Sequence, residues 1–230
     1  KVNNMADSKK IVKLNYTAYF ADTDRPFDTT YAEVAKEVGA YDEKITYEPV
    51  PYIVGSGRLY KPVDEAISAA KIGEEVTVNV PCEEAAGAKD PKLIELYPIK
   101  DFYKQQINPV PGVPIKLGNR TGTIVSVGAG RVRVDFNSPL AGHDLVYKVT
   151  IVEEIADDNE KVMALIKSTY GKDDGFTVAI GDKITITLPD MVKFDEGWKV
   201  ARFSIVFALR ELFEGKDIEY VEVWPAPKKE

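Results

Sequence analysis

The strand-like run from Asp144 to Ile155 has no natural partner close by, and this constrains how everything before it folds. It resembles the first part of the chain in character and should pair back with it, where Ile11 to Phe20 (IVKLNYTAYF) is rich in β-formers and alternates as a half-buried strand does. Such a pairing encloses the stretch between them. Within that stretch the texture changes from Ala88 to Asn137. There Pro91, Pro98, Pro109, Pro111 and Pro114 space out a segment expected to hold little regular structure. It then resolves into two β runs, Thr121–Val127 and Arg131–Phe136, around Gly128-Ala129-Gly130, a sequence better suited to a hairpin turn than to a phosphate loop. The expectation is one folded unit interrupted by another, not two domains in succession.

The remaining elements follow from local signals. Asp22 to Pro26 is a turn, Phe27 resumes extended structure, and Tyr31 to Val38 is a short helix ended by Gly39. Ile45 to Val54 is β-like, with Pro49 and Pro51 confining it to an edge or a bulge. Pro62 opens a helix over Val63 to Ala70, whose Val63, Ala66, Ile67 and Ala70 share one buried face. Glu75 to Pro81 alternates as a strand. Beyond a polar linker, Ala156 to Asn159, the spacing predicts a helix over Glu160–Tyr170 stopped by Gly171. A hairpin of Phe176–Ile180 and Lys183–Leu188 turns at Gly181-Asp182, and a final strand runs over Ile218–Trp224. Trp198 to Phe213 is a helix apolar on more than one face, suited to burial against its own sheet or against a partner. The fold class is α+β, with a small α+β domain at the C-terminal end.

Composition excludes several chemistries. A formal charge of −7 over 230 residues argues against a nucleic-acid protein that works by neutralising phosphates. One cysteine, Cys82, excludes an intrachain disulfide and favours a reducing cytoplasm. His143 and Cys82 are the only residues of their kinds, too few for a structural zinc site; a Ser-His-Asp or Cys-His nucleophilic site would need this one histidine, and no Gly-x-Ser-x-Gly elbow is present, so no metal and no cofactor is expected. No apolar run approaches the roughly twenty residues of a membrane span. Lys1 to Lys10 is polar and lacks the apolar core of a signal peptide, with Met5 a candidate start.

What the flanks do contain is aromatic and aliphatic side chains with one carboxylate. One carries Phe27-Asp28-Thr29-Thr30 and Val54-Gly55-Ser56-Gly57-Arg58-Leu59-Tyr60; the other carries Pro139-Leu140-Ala141-Gly142-His143-Asp144-Leu145-Val146-Tyr147. These motifs resemble the FKBP-type peptidyl-prolyl cis-trans isomerases. The insert resembles the insert-in-flap domain of the SlyD-like branch, and the extension Ala156–Glu230 is similar to that of long archaeal members. The resemblance implies an antiparallel sheet wrapped on a short helix over residues 1–87 and 138–155, a β-rich chaperone insert over 88–137, and a C-terminal domain over 156–230. It implies a prolyl pocket in which Tyr16, Asp28 and Tyr147 are catalytic and Phe27, Val50, Leu59, Tyr60, Val63, Ala86 and Leu145 bind substrate. Taken singly, Tyr16, Phe27 and Tyr147 read more readily as core residues than as ligand contacts, and Asp28 equally as a turn acceptor or helix cap.

One position departs from the family. The flap reads Ala85-Ala86-Gly87 where Ala-Tyr-Gly is usual, which removes a hydroxyl donor and one aromatic wall. The implied function is X–Pro isomerisation coupled to capture of unfolded, proline-containing polypeptides by the insert. The alternative is a non-catalytic holdase with a weakened pocket. A homodimer through the C-terminal domain is a further expectation; nucleic acid and membrane are not expected partners.

Overall fold

A computed structural model of the chain describes residues 10–226, so the expectations for the first nine residues lie outside the described part. Among the described residues two compact units are present, and the chain passes between them more than once: residues 10–19, 25–78 and 146–226 form the first, and 20–24 with 79–145 the second.

The first unit is organised on β1 (Ile11–Phe20), within the sheet order β2 (Pro26–Thr29), β1, β9 (Leu145–Ile155), β4 (Glu75–Val80), with β3 (Val50–Ile53) also on β1. The register pairs Ile11 with Ile53, Val12 with Tyr52, Lys13 with Pro51 and Leu14 with Val50. Farther along, Thr17 faces Thr29 and Ala18 faces Asp28, with a bulge between Ala18 and Tyr19. Because side chains alternate between faces, Val12, Leu14, Tyr16 and Ala18 share one face with Val50 and Asp28, while Ile11 and Lys13 share the other with Ile53 and Pro51. The strand expected from Ile45 shrinks to Val50–Ile53, because prolines 49 and 51 lack the N–H that a ladder needs. α1 (Ala32–Glu37) and α2 (Lys61–Ala69) complete this part. α2 has its proline at the first turn, as expected, and buries Val63 and Ile67.

The C-terminal elements belong to the same unit. α4 (Asp158–Tyr170) is capped by Asp157, whose carboxylate accepts the Glu160 N–H at 2.9 Å, and ends at Gly171 with φ +86°. β10 (Thr177–Ile180) and β11 (Lys183–Leu188) form the expected hairpin. β12 (Asp217–Glu222) pairs with β11 in parallel, which the long α5 (Glu196–Leu212) makes feasible as a crossover. Val162, Leu165, Ile166, Ile184, Ile186, Trp198, Ile205 and Leu209 form a core that also takes in Ile11, Ile53 and Ile155. The outer face of the first sheet and the C-terminal elements thus bury each other.

In the second unit, β5 (Ile94–Pro98), β8 (Arg131–Asp135), β7 (Arg120–Gly128) and β6 (Pro114–Leu117) form an antiparallel sheet in that order, with α3 (Ile99–Lys104) after β5. The β7–β8 turn has φ +48° at Ala129 and +73° at Gly130, the doubly positive pattern of a type I′ hairpin. The segment expected to lack regular structure is more ordered than its prolines suggest. Pro91 opens a 3-10 turn capped by Asp90, Pro98 precedes α3, and Pro114 begins β6, all places where a missing N–H costs little. Gly122 is obligatory: a Cβ there would lie 2.8 Å from the Asp135 carbonyl oxygen and from atoms of Val134 and Phe136. The insert core is small, built on Phe102, Ile115, Ile124, Val132 and Val134. Leu93, Leu96, Tyr103, Val110, Val113 and Val125 stay exposed, as expected of a module with little interior.

Candidate prolyl site

The strands β1 and β2 are held by a ladder of hydroxyls. The Thr30 hydroxyl accepts the Tyr16 N–H at 3.0 Å, the Thr30 N–H donates to the Tyr16 carbonyl at 3.0 Å, and the Thr17 and Thr29 hydroxyls pair at 2.9 Å. This fixes Asp28 one diagonal step from Tyr16 on the same face, and the Tyr16 hydroxyl donates to Asp28 Oδ2 at 2.8 Å. α1 begins after Tyr31 without a side-chain cap, so Asp28 is not a helix cap.

Tyr147 is the hub of the surrounding aromatics. Its ring lies 6.2 Å from those of Phe27 and Tyr60, both edge-on, and 6.5 Å from that of Tyr16. These are separations at which ring quadrupoles attract. Burial, with the Asp28 charge second, pushes the Tyr16 hydroxyl well above the usual phenol range; burial, then Tyr60 and Asp28, does the same to Tyr147. Both stay protonated at ordinary pH, so Tyr16 is a standing donor.

Leu59 and Tyr60 lead into α2, and both are half-buried. Their loop is pinned by Asp64, a residue the sequence reading missed. Its two carboxylate oxygens accept the N–H groups of Gly55 at 2.8 Å and Gly57 at 3.1 Å, glycines whose φ of +77° and +67° suit no other residue well. The signal was present: a first-turn carboxylate just after a Gly-x-Gly. Val63 lies fully buried on α2, and Val50 sits across from Leu14 on the face that carries Tyr16.

The structure therefore brings together Tyr16, Phe27, Asp28, Tyr60 and Tyr147 within the first unit. Ala86 and Leu145 belong to the second. There Ala86 is exposed in a turn closed by Gly87 N–H donating to the Cys82 carbonyl at 2.9 Å, and Leu145 is buried at the start of β9. His143 Nδ1 sits 3.1 Å from Asp22 Oδ2, and Cys82 is half-buried. Among the described residues no three potential ligands cluster to hold a metal, and no helix is long and apolar enough to cross a membrane.

A depression of about 840 Å³ was not foreseen. It lies between α4, the loop before β3, and the sheet, and ion pairs run along its lining: Lys13 with Glu153 at 2.6 Å and Lys167 with Glu48 at 2.9 Å. No aromatic ring lines it, so its chemistry differs from that of the Tyr147 cluster.

Comparison with known proteins agrees with this geometry. The FKBP-type peptidyl-prolyl cis-trans isomerase family matches residues 3–101, the FKBP26 IF domain residues 95–140, and the FKBP26 C-terminal family residues 158–225. A short-type peptidyl-prolyl cis-trans isomerase of Methanocaldococcus jannaschii is 34% identical over 134 residues, covering 58% of this chain and 85% of that protein. A probable FKBP-type 16 kDa peptidyl-prolyl cis-trans isomerase of Pseudomonas fluorescens is 26% identical over 115 residues, covering 49% and 77%. SlyD of Aeromonas hydrophila, an FKBP-type isomerase, is 29% identical over 112 residues, covering 48% of this chain and 53% of that one. With an antiparallel sheet on a short helix, a ring cluster around one carboxylate, and these relatives, the chain belongs to the family of FKBP-type peptidyl-prolyl cis-trans isomerases.

Proposed function

We propose that the chain catalyses X–Pro rotation at the Tyr147 ring cluster and that its insert holds unfolded polypeptide near that reaction. The observation that carries the reading is the cluster itself, the rings of Phe27, Tyr60 and Tyr147 beside a hydrogen-bonded Tyr16–Asp28 pair. Rotation about a prolyl bond is opposed by amide resonance, a barrier of about 18–20 kcal/mol, and takes tens to hundreds of seconds unaided. The twisted imide has lost that resonance and is less polar than the planar one, so an apolar wall stabilises it more than the ground state. Phe27, Tyr60, Tyr147 and the aliphatic Val50, Leu59 and Val63 supply the wall in this reading. Asp28, oriented by the Tyr16 hydroxyl, acts electrostatically on the twisted carbonyl. No proton moves and no covalent bond forms.

Ala86 supports a second reading. An exposed methyl there offers no donor, and a hydrogen bond of this kind is worth about 0.5–1.5 kcal/mol. A chain with so weak a flap acts as a holdase if the pocket binds without turning over. Refolding of a proline-limited protein separates the two. The full chain is expected to accelerate the slow phase, and Asp28→Ala to lower that acceleration about tenfold, equivalent to about 1.4 kcal/mol of lost transition-state stabilisation. Suppressed aggregation with the spontaneous rate unchanged would leave only the holdase.

The exposed apolar residues of the insert support its role as the client surface. Val113 lies beside β7, since its carbonyl accepts the Ile124 N–H at 3.0 Å, and this puts the Val110–Val113 loop near exposed Val125. Such surface, uncovered in a folded chain, suits extended apolar segments. The C-terminal end carries a second surface, for self-association. α5 buries Trp198, Ala201, Ile205 and Leu209 but leaves Val200, Phe203 and Phe207 exposed at i, i+3 and i+7. We expect a homodimer by light scattering, converted to monomer by Phe203→Glu with Phe207→Glu. A chain already monomeric at tens of micromolar, on the order at which weak dimers form, would exclude it.

A further inference from the structure

The insert joins the rest of its unit through two chain crossings, at residues 88–91 and 135–138, and one buried carboxylate ties them together. Asp135 is 8% exposed and is the one carboxylate among the buried residues described. Its Oδ2 accepts the Lys89 ammonium at 3.0 Å, from the entering crossing. Its Oδ1 accepts both the backbone N–H of Asn137 at 2.8 Å and the side-chain N–H of Asn137 at 2.7 Å, from the leaving one. Asn137 then bridges back. Its Oδ1 accepts the Asp90 N–H at 2.8 Å and its Nδ2 donates to the Asp90 carbonyl at 3.1 Å, a reciprocal pair that imitates a β-bridge.

The surroundings are built to admit this network. The Phe136 N–H donates to the Leu93 carbonyl at 2.9 Å, and the Gly142 N–H to the Gly87 carbonyl at 2.8 Å, so the crossings are also stitched by backbone. Gly142, at φ +81°, leaves room for the Lys89 stem: a Cβ there would come within 3.3 Å of Lys89 Cγ. The Asp135 backbone pairs with Ile94 on one side and Thr123 on the other, so its carboxylate stands where β5 begins and β8 ends, beside β7. Burial pushes the Asp135 carboxyl up, but the two Asn137 N–H groups and the Lys89 ammonium outweigh it and hold the group below the usual carboxylate range. The tie is therefore charged and intact at neutral pH.

A flexible neck needs none of this. Two chain crossings with ordinary turn residues would carry the insert as a freely swinging lobe, and a buried charge without partners would be costly. We propose that Asp135, with Lys89 and Asn137, is a positioning residue that locks the insert onto the segments that carry it, so that polypeptide held on the insert is presented over a narrow range of directions. The inference rests on the reading that the insert holds clients. A fixed tether confines the client to a small volume and so raises the effective concentration of its prolines, and a loosened one dilutes them.

The test uses the full chain with Lys89→Met, Asn137→Ala and, as the conservative control, Lys89→Arg. Three quantities are read: kcat and KM for refolding of a proline-limited protein, kcat/KM for a short proline peptide, and ¹⁵N relaxation of insert amides against those of residues 79–87. The expected result is a KM for the protein substrate raised about fivefold, as a loosened tether gives, with kcat and the peptide value unchanged. Insert amides in Lys89→Met should tumble separately from their flanks, and Lys89→Arg should restore both values. An unchanged protein KM in Lys89→Met, or a peptide value that falls in parallel, overturns the proposal. Should Asn137→Ala lose the dispersed amide signals of the insert, Lys89→Met decides alone, because Lys89 takes part through its side chain and that side chain is 48% exposed. Leu96→Ser with Tyr103→Ser tells the two layers apart. If that pair leaves protein KM unchanged, the client reading fails; if it raises KM while the neck variants do not, only the lock fails.

Discussion

Tyr147→Ala is expected to reduce kcat/KM on a short proline peptide by tenfold or more, about 1.4 kcal/mol of transition-state stabilisation per decade, while Tyr147→Phe stays within about twofold. The reason is that three rings rest on this one, at 6.2, 6.2 and 6.5 Å. Each such contact contributes about 0.5–1.5 kcal/mol beyond simple burial. Removing the ring of a residue that is only 5% exposed also opens a cavity, so folding stability should fall by about 3–5 kcal/mol. Phenylalanine keeps the ring and loses only the hydroxyl. A protease-coupled peptide assay alongside thermal unfolding reads both effects. Equal losses for the two variants would move the chemistry from the ring to the hydroxyl. The pH profile follows from the same burial. Tyr16 and Tyr147 have hydroxyls pushed up in the fold, so their contribution is complete below the ordinary phenol value of about 10 and is lost as pH rises beyond it. Activity should therefore be flat through the neutral range.

How far these features were legible in the sequence depended on whether the signal was local. β1 matches its expected bounds, Ile11–Phe20, because its run of β-formers with near-alternation marks a strand locally. The hairpin at Gly128-Ala129-Gly130 and the Gly171 stop of α4 likewise depend on backbone angles only a few residues adopt. Asp28 was ambiguous, since one carboxylate before two threonines serves a cap or a site equally well. Register, Ala18 against Asp28, places it on the face that carries Tyr16, which no local pattern contains. Prolines misled in the insert, where they mark the starts of elements and were read as breaks between them. Asp135 was invisible for a different reason: Asn137 is close in sequence, but Lys89 becomes its neighbour only when the two crossings are brought together. The parallel pairing of β12 with β11 is of the same kind, as is the shared core of the first sheet and the C-terminal elements.

That shared core leads to the largest stability effect expected. Removing residues 156–230 should leave the remaining sheet close to unfolding, because it strips the cover from Ile11, Ile53 and Ile155, which are 0%, 0% and 5% exposed. Re-exposing a buried aliphatic side chain costs about 1.5–3 kcal/mol, so three of them together approach about 4–9 kcal/mol. A whole domain is stable by only about 5–15 kcal/mol. The polar tie across this boundary, Lys167 with Glu48 at 2.9 Å, is exposed and offsets little of it. Denaturant unfolding of the shortened chain should give a much lower midpoint than the full chain and a tendency to aggregate. Ile53→Thr discriminates the cause. In the full chain it places a hydroxyl in the core and should destabilise, whereas in the shortened chain the same residue faces water and the substitution should restore solubility. A C-terminal region merely strung on the linker at Ala156–Asn159 predicts the opposite on each count: an unchanged midpoint after removal, and one sign for Ile53→Thr in both chains.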